Sequence, residues 1–591
     1  MTSKKIEEVK VNRIKKNSKD LKTILKLENK LNLSLHAMTV LNERYLIRNS
    51  KGNVVENPEQ MFRRVAKYVA KVEKKEKKKW ENEFFEVMKN LEFLPNTPCL
   101  TNAGTTRKQL SACYVLDLPD SIKDIFETLK ESALIFQSGA GVGYSFSKIR
   151  AEGSLIKTSN REASGPVSFM YVFDKAAEIM KKGGIRRAAM MGVLDITHLD
   201  IFEFIGAKEN GDLKNFNISV AITDDFMRKV LHGQNYWLKD DKGRNVKKFN
   251  SREVYDYICK NAWENGEPGI LFIDEINRKN NLKKLNHIYA SNPCGEVPLF
   301  ERESCCLGSV NLSKFTRKGD VNWVKLAKAV KIGVRFLDNV VTVNKYPSKE
   351  IELMCLSNRK IGLGVMGWAD MLIELGIPYD SKEAVKLADS VMKFINKKAR
   401  EESEKLAREK GAFPNFKRSS LKKRRRNASL LAIAPTGSIS IIAGCSSGIE
   451  PIFAVAYMRE ILNGMKLFEV NKRFEELARY TGFYKKGMMR SIANKGSLKG
   501  VRSVPKQIKE LFMTSLEIPL ERHIEMQAAF QKNVDNAVSK TINLPKKASI
   551  GDVKRAYMLA WKNKCKGITV YRYGSREKQV LYLGNNNCKK C

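Results

Sequence analysis

The stretch Ser291-Asn292-Pro293-Cys294-Gly295-Glu296 places an amide, a thiol and a carboxyl group at every second position of the chain. Because alternate side chains of an extended segment point the same way, we expect Asn292, Cys294 and Glu296 to share one face. The carboxylate can accept a proton and the amide can orient a hydroxyl group. The stretch therefore predicts a catalytic loop. Alternatively, Cys294 is a small buried core residue, as reduced cysteines often are.

Composition indicates a large globular protein in a reducing compartment. The chain has 591 residues, 43% of them hydrophobic and 29% charged. No apolar run approaches the roughly 20 residues that cross a bilayer, and the lysine-rich start lacks a hydrophobic signal core. We expect a cytoplasmic protein without membrane contact. Its 11 cysteines then indicate thiol redox chemistry, and its 5 histidines lack metal-ligand spacing, so no metal site is expected.

The net charge of +42 indicates either nucleic-acid binding or a phosphate-bearing substrate. Basic clusters at 74–79 and 422–426 lack the interleaved aromatic residues of a platform for single-stranded nucleic acid. We therefore expect no specific nucleic-acid partner. A basic nucleic-acid-binding protein stays an alternative, and its binding would depend strongly on salt.

The order of elements predicts an α/β fold after a helical N-terminal region at 1–90. Pro58 fits the first turn of one helix, and Trp80–Leu91 reads as another. From residue 109 the chain reads as strand, capped helix, glycine loop and strand, which is the alternation of a parallel sheet. The glycine loop does not open a helix, so it is not a dinucleotide fingerprint. We expect one catalytic body at 91–580 and a flexible tail at 581–591.

Further along, 381–411 reads as a long charged helix, and Leu430–Ala434 reads as a buried strand. That strand leads into Pro435-Thr436-Gly437-Ser438-Ile439-Ser440. Small hydroxylic residues and glycine after a strand expose backbone N–H groups, which suits a phosphate, although many loops share this composition.

These motifs together resemble the vitamin B12-dependent (class II) ribonucleoside-diphosphate reductases. The resemblance extends from Leu33 to Arg576 and rests on the central loop and on the segments Gln109–Val115, Ala163–Phe169, Ala434–Ser440, Asp535–Pro545 and Gly567–Arg572. It implies a ten-stranded α/β barrel of two five-stranded halves, with the active-site cysteine on a finger loop inside. It also implies reduction of ribonucleoside diphosphates to 2′-deoxyribonucleoside diphosphates for DNA synthesis, with adenosylcobalamin as cofactor. No amino-terminal ATP cone is recognised.

The resemblance assigns roles to individual residues. Cys294 would carry a thiyl radical, Glu296 would act as the base for the ribose 3′-hydroxyl, and Asn292 would bond near the substrate hydroxyls. Cys113 and Cys305 would be the reducing dithiol; the adjacent Cys306 is an alternative partner of Cys113, although position favours Cys305. The substrate-binding positions implied are Thr97, Ser111, Ala112, Gly141, Pro435, Thr436, Gly437, Ser438 and Ile439, with the last five at the phosphates.

The resemblance also implies partners. Asp120 and Arg150 match residues that hold a deoxynucleoside triphosphate effector at a homodimer interface, with the basic loop at 185–190 passing the signal to the substrate. Without the resemblance, Asp120 reads as a helix cap and Arg150 as a surface charge.

A second candidate is the large subunit of a class I reductase, which needs a metal-containing partner to generate its radical. That class relays the radical through two adjacent tyrosines, whereas Tyr571 and Tyr573 are separated by Arg572 in this sequence. The tail also lacks the terminal glycine motif of glycyl-radical enzymes. The sequence therefore favours adenosylcobalamin without a partner subunit.

The chain ends with Cys588-Lys589-Lys590-Cys591 on a polar stretch. Such a pair suits a swinging dithiol that re-reduces an internal disulfide by exchange and is itself reduced by a thioredoxin-type protein. Half of a zinc site is the alternative, but two further ligands do not follow in this sequence.

Replacing both Cys588 and Cys591 by alanine is expected to abolish turnover driven by a thioredoxin-type protein. Most of the turnover driven by a small dithiol should remain, because a small reductant reaches the internal disulfide directly. The two rates are compared by deoxynucleotide formation. Protein-driven turnover equal to that of the unmodified chain would exclude the shuttle.

Overall fold

The computed structural model describes residues 31, 33–156, 160–180, 189–461, 465–485, 487–575 and 581–582. Cys588, Cys591 and residues 185–188 of the basic loop lie outside these residues. The helices are α1 Leu35–Arg44, α2 Pro58–Ala70, α3 Lys77–Lys89, α4 Thr97–Asn102, α5 Ile122–Gln137, α6 Gly165–Met180, α7 Ile201–Gly206, α8 Asp224–His232, α9 Ser251–Asn265, α10 Ile273–Arg278, α11 Trp323–Val343, α12 Lys349–Asn358, α13 Trp368–Leu375, α14 Lys382–Lys410, α15 Ile439–Ala443, α16 Lys472–Tyr480, α17 Met488–Lys495, α18 Lys506–Leu511, α19 Leu520–Gln531 and α20 Ile550–Lys562. Short 3₁₀ helices cover Leu312–Lys314 and Pro414–Arg418.

The strands are β1 Phe93–Pro95, β2 Cys113–Leu116, β3 Gly141–Ser145, β4 Leu155–Ile156, β5 Arg161–Glu162, β6 Met190–Asp195, β7 Phe216–Ile222, β8 Asn235–Lys239, β9 Asn245–Asn250, β10 Gly269–Phe272, β11 Ala290–Ser291, β12 Pro298–Leu299, β13 Glu303–Asn311, β14 Thr316–Arg317, β15 Asp320–Val321, β16 Ile361–Met366, β17 Ala456–Ile461, β18 Met465–Val470, β19 Thr541–Leu544, β20 Gly567–Arg572 and β21 Leu581–Tyr582. Within the described part of the chain, no helix has the length and apolarity needed to cross a membrane.

The strands form a barrel of two parallel halves. In the first half β2, β3, β6, β7 and β10 pair in parallel in that order. In the second half β13 pairs in parallel with β16, and β19 with β20. The segment around Leu431 and Ile433 completes this half, because Leu431 bridges Leu363 of β16 and Ile433 bridges Val538 just before β19. The predicted buried strand at 430–434 is therefore confirmed.

Two antiparallel seams join the halves. β2 pairs with β13, and β10 pairs with β20, so the ten strands close on themselves. The predicted ten-stranded α/β barrel of two five-stranded halves is thereby confirmed. Strands buried on both faces explain the continuous apolar runs of β6 and β10.

A hairpin fills the barrel interior. β11 and β12 pair with each other, and Val297, Leu299 and Phe300 of the hairpin pack against the inward-facing side chains of the wall. Those wall residues are Cys113, Val115, Met191, Val193, Ala221, Leu271, Cys305, Leu307 and Ala432. Alternate residues of the same strands, such as Tyr114 and Tyr144, face the outer helices instead. The catalytic stretch therefore lies at the tip of an internal finger, as expected.

Helix ends follow the signals in the sequence. Asn57 and Gln60 form a capping box at α2, Ser121 caps α5, and Ser381 caps α14. Helix α3 begins at Lys77, before the predicted Trp80. The N-terminal helices share one apolar core with α11 and α14. The domain boundaries expected at residues 90 and 580 stay predictions.

The finger touches the barrel wall where the wall has no side chain. A Cβ on Gly143 would lie 1.9 Å from the carbonyl oxygen of Ser291, and a Cβ on Gly141 would lie 2.7 Å from Cγ of Pro293. Both distances are far below van der Waals contact, so glycine is required for the hairpin to lie against β3.

We expect Gly143→Ala to destabilise the protein by at least about 1–3 kcal/mol, because the obstacle is backbone that cannot rotate away. Gly551→Ala is the control, since its Cβ would meet only Ser549 Oγ at 3.4 Å near the start of α20. That change should be neutral or stabilise by up to about 1 kcal/mol. Urea unfolding of both variants provides the comparison, and equal midpoints would contradict the close approach.

Candidate active site

The tip of the finger is a tight loop between β11 and β12, not an extended segment. Gly295 donates its N–H to the carbonyl of Asn292 at 3.0 Å and has a φ of +80°. This turn interrupts the strand-like alternation that was expected for the stretch. Cys294 is exposed, whereas Asn292 and Glu296 are buried. The expected extended conformation is therefore wrong, because the chain turns at Gly295.

Asn292 connects the loop to the barrel wall. Its side-chain amide donates to Sγ of Cys113 at 3.1 Å, and its Oδ1 accepts from the N–H of Val297 at 2.9 Å. The same side chain therefore holds the loop closed and contacts one of the predicted redox thiols. At Glu296, the backbone carbonyl accepts from the N–H of Ala537 at 2.9 Å, which ties the loop to the second half of the barrel.

Cys305, not Cys306, lies opposite Cys113. The two residues are Cα partners across the antiparallel seam of β2 and β13. Cys305 faces the barrel interior, whereas Cys306 faces the outer layer, where its Sγ lies 3.6 Å from Oγ of Ser111. Opposite residues of an antiparallel pair have Cα separations of about 4.5–5.5 Å, within the range of disulfides. The register agrees with the preference for Cys305, and the redox role of the pair stays a prediction.

The environment keeps Cys305 protonated. Burial raises the pKa of the Cys305 thiol well above its usual range, and the nearby Cys306, Cys113 and Glu296 raise this pKa further. Burial likewise raises the pKa of Cys306 to about 12. At neutral pH Cys305 is therefore a thiol that can donate a proton or a hydrogen atom.

Cys294 opens into a cavity of about 1000 Å³. The cavity extends from the finger tip along β10, β19 and β20 on one side and along 435–454 on the other. Asn217 of β7 also lines it and donates to the carbonyl oxygen of Pro293 at 2.8 Å. We did not identify Asn217 from the sequence, because a single asparagine within an apolar strand has no distinguishing pattern.

Comparison with known proteins gives two family matches. The ribonucleotide reductase barrel domain matches residues 111–571, and the ribonucleotide reductase all-alpha domain matches residues 31–108. The chain belongs to the ribonucleotide reductase family. It is 43% identical to the vitamin B12-dependent ribonucleoside-diphosphate reductase of Thermoplasma acidophilum over 96% of this chain and 83% of that protein. It is 45% identical to the protein of the same name from Mycobacterium tuberculosis over 95% of this chain and 82% of that one.

A solved structure shares the fold. The class Id ribonucleotide reductase alpha subunit of Actinobacillus ureae superposes with a TM-score of 0.77, at 25% identity, over 93% of this chain and 98% of that chain. The family membership and this superposition agree with the barrel described above.

The predicted substrate positions of this ribonucleotide reductase lie in different environments. Thr97 Oγ1 bonds the hydroxyl of Tyr45 at 2.8 Å, and Pro435 lines the cavity. Ser111 is fully buried, with its Oγ 3.0 Å from Oγ of Ser304. Gly141 lies against Pro293. The assignments of these positions stay predictions, as do those of Ala112, Gly437, Ser438 and Ile439.

Thr436 has a defined structural task in the predicted phosphate loop. It adopts a φ of +56°, accepts the N–H of Gly448 on Oγ1 at 2.8 Å, and accepts the N–H of Ser440 on its carbonyl at 2.9 Å. These bonds fix the turn between the strand at 430–434 and α15.

Asp120 and Arg150 form an ion pair at the end of β2 and β3. Nε of Arg150 donates to Oδ2 of Asp120 at 2.6 Å, and both side chains are partly exposed. The cap of α5 is Ser121, whose side chain accepts the N–H of Asp124, so the reading of Asp120 as the cap is wrong. The pair stays a candidate effector site.

Replacing Asn217 by alanine removes the bond to Pro293 next to Cys294. We expect deoxynucleotide formation to fall about fivefold, because one hydrogen bond of about 1 kcal/mol holds the loop tip in place. Asn396→Ala is the matched control, since Nδ2 of Asn396 also donates to a backbone carbonyl, that of Asn533, at 2.6 Å. Turnover of the Asn217 variant within twofold of the control would contradict a role in positioning the loop.

Proposed function

We propose that this protein reduces ribonucleoside diphosphates to 2′-deoxyribonucleoside diphosphates with adenosylcobalamin as cofactor. The observation that carries the proposal is the in-register pair Cys113 and Cys305, bonded through Asn292 to a loop whose Cys294 opens into the large cavity. Two similar proteins that share 43% and 45% of its residues bear the name of such a reductase.

The proposed reaction divides its steps among residues of this chain. Cys294 holds a thiyl radical and takes the hydrogen atom from the ribose 3′ carbon. Glu296 accepts the proton of the 3′-hydroxyl, for which a carboxylate within the loop is suited. Burial of Glu296 and Asn292 excludes water from that side of the loop.

The thiols supply the reducing equivalents. Cys113 and Cys305 deliver two protons and two electrons, the 2′-hydroxyl leaves as water, and a Cys113–Cys305 disulfide forms. Cys294 then returns the hydrogen atom to the 3′ carbon. The raised pKa of Cys305 suits this step, because the group must donate a proton to the leaving hydroxyl.

The cavity is larger than one nucleotide requires and leaves wall for part of a second ligand. Its volume of about 1000 Å³ is at the upper end of ordinary ligand sites and exceeds the need of one nucleoside diphosphate. With the phosphates at 435–439, the wall left for adenosylcobalamin comprises Glu267, Thr569, Tyr571 and Tyr573. When bound, this cofactor supplies the radical by homolysis of its cobalt–carbon bond.

The arrangement of the tyrosines favours a class II reductase over a class I large subunit. Tyr571 and Tyr573 line the cavity but are not adjacent in the chain. A class I radical relay requires an adjacent pair, so a metal-containing partner subunit is the less favoured alternative.

Regeneration of the dithiol completes the proposal. Leu581 and Tyr582 pair with Arg459 and Met458 of β17, which fixes where the tail leaves the described structure. Cys588 lies six residues beyond Tyr582, a reach of at most about 20 Å. We propose that the tail carries electrons from a thioredoxin-type protein to the Cys113–Cys305 disulfide in the cytoplasm.

An exposed apolar face supports the proposed homodimer. Helices α5 and α6 leave several large apolar side chains at least a third exposed: Ile122, Phe126, Leu134, Tyr171, Val172 and Ile179. Contiguous exposed apolar surface is typical of protein interfaces. The Asp120–Arg150 pair lies at the start of α5, where we propose that the deoxynucleoside triphosphate effector binds.

The purified chain should form deoxynucleotides anaerobically from a ribonucleoside diphosphate and a small dithiol only when adenosylcobalamin is added. Iron, manganese and oxygen should not be needed, and light should inactivate the loaded enzyme. Product is measured by chromatography.

Cys294→Ser serves as the control for this assay. Serine preserves size, but its O–H bond is too strong for the radical relay, so turnover should be undetectable while the fold is kept. Product formation by this variant refutes the role of Cys294. No product with adenosylcobalamin, and turnover after addition of an iron-loaded partner, refutes the class II assignment.

A further inference from the structure

The segment that leads into Cys113 is buried and irregular. Residues 107–112 belong to no helix or strand, yet Gln109, Leu110 and Ser111 are buried. Buried backbone groups must find hydrogen-bond partners, and an irregular segment cannot take them all from a regular ladder. The partners of this segment decide where Cys113 lies.

Side-chain amides supply most of these partners. Asn102 donates to the carbonyl of Gln109 at 2.8 Å, and Asn96 donates to the carbonyl of Leu110 at 3.2 Å. Asn344, the residue that ends α11, uses both atoms of its amide. Its Oδ1 accepts the N–H of Leu110 at 2.6 Å, and its Nδ2 donates to Oγ of Ser111 at 3.1 Å.

Asn344 therefore bonds the consecutive residues Leu110 and Ser111, and Ser111 connects them to β13. Oγ of Ser111 also bonds Oγ of Ser304, the residue before Cys305. A continuous chain of hydrogen bonds runs from Asn344 through Ser111 to Ser304. It reaches both strands within two residues of the two thiols.

This chain lies on the outer side of the seam. Cys306, which contacts Ser111, belongs to the apolar core shared with α11, whereas Cys113 and Cys305 belong to the barrel interior. Asn344 thus touches neither thiol and is not among the residues that line the cavity. Any effect of Asn344 on the reaction must come through the position of the backbone.

We infer that Asn344 is a positioning residue that holds residues 109–112 so that Cys113 stays opposite Cys305 during thiol–disulfide exchange. The inference rests on the proposed function of this pair. Two thiols held at disulfide distance have a high effective concentration, so their disulfide is favoured over the dithiol. Loosening the segment lowers that effective concentration.

The test measures the Cys113–Cys305 equilibrium in full-length protein with Cys588 and Cys591 replaced by alanine, so that the tail does not contribute. The protein is equilibrated with reduced and oxidised dithiothreitol, and the peptides of the two cysteines are quantified by mass spectrometry. Asn344→Leu, which keeps the branched arrangement of heavy atoms and removes both bonds, should lower the equilibrium constant for the disulfide at least tenfold. That change corresponds to a midpoint potential about 30 mV less negative.

Two further variants each remove only part of the Asn344 hydrogen bonding and should lower the equilibrium constant less. Ser111→Ala removes only the acceptor of the Asn344 amide and should lower the constant at least threefold. Asn344→Asp keeps an acceptor for the N–H of Leu110, so its equilibrium constant should lie closer to that of the parent protein than to that of Asn344→Leu. If Asn344→Leu does not fold, Ser111→Ala decides the question, because this small change leaves the packing intact.

Asn261→Leu is the matched control. Asn261 is fully buried, and its amide bonds the carbonyl of Tyr257 within α9, which packs against α8, α20 and β20 and not against β2 or β13. This variant should lose comparable stability while the equilibrium constant stays within twofold.

An unchanged constant in Asn344→Leu and Ser111→Ala, or an equal shift in Asn261→Leu, overturns the inference and leaves the proposed function intact. Failure of the parent protein to form a Cys113–Cys305 disulfide overturns both.

Discussion

The antiparallel seam between β2 and β13 is the constraint on which the rest of the structure depends. Each half of the barrel is a parallel sheet that cannot close alone, and this seam and the β10–β20 seam join them. The seam also sets Cys113 opposite Cys305. The same seam therefore helps to close the barrel and brings together the two thiols of the proposed reductant.

Buried charges secure the start of β13. Glu303 is fully buried and accepts from Nζ of Lys360 at 2.6 Å, from Nδ2 of Asn358 at 2.6 Å and from the N–H of Phe300 at 2.8 Å. A buried ion pair contributes little net stability, but removing one partner is costly because the other charge is left buried. Such a cluster fixes position more than it adds stability. Here the cluster fixes β13, which carries Cys305, to the end of α12 and the start of β16.

The finger hairpin is held against the barrel wall by close backbone approach and by hydrogen bonds at its tip. Gly141 and Gly143 let the hairpin lie against β3. Three hydrogen bonds then tie its tip to different parts of the wall: Asn292 bonds Cys113, Pro293 bonds Asn217, and Glu296 bonds Ala537. The radical proposed for Cys294 would react with one hydrogen atom of one ligand, which requires a rigid loop. The packed interior beneath the tip provides that rigidity, while Cys294 itself remains open to the cavity.

The sequence by itself determined the elements that depend on local chemistry. Capping residues such as Asn57, Ser121 and Ser381 mark helix starts because their side chains bond the first free N–H groups, and apolar runs mark buried strands. Motif resemblance supplied the barrel and the cysteine, asparagine and glutamate of the loop.

Only the tertiary structure decided which residues meet. Cys305 and Cys306 are adjacent in the sequence, and the register across the seam turns one inward and the other outward. The turn at Gly295, not alternation, sets which loop side chains are exposed. Asn217 and Asn344 carry no local signal, because an asparagine acquires its role from a backbone group distant in the chain, and that proximity exists only after the barrel closes.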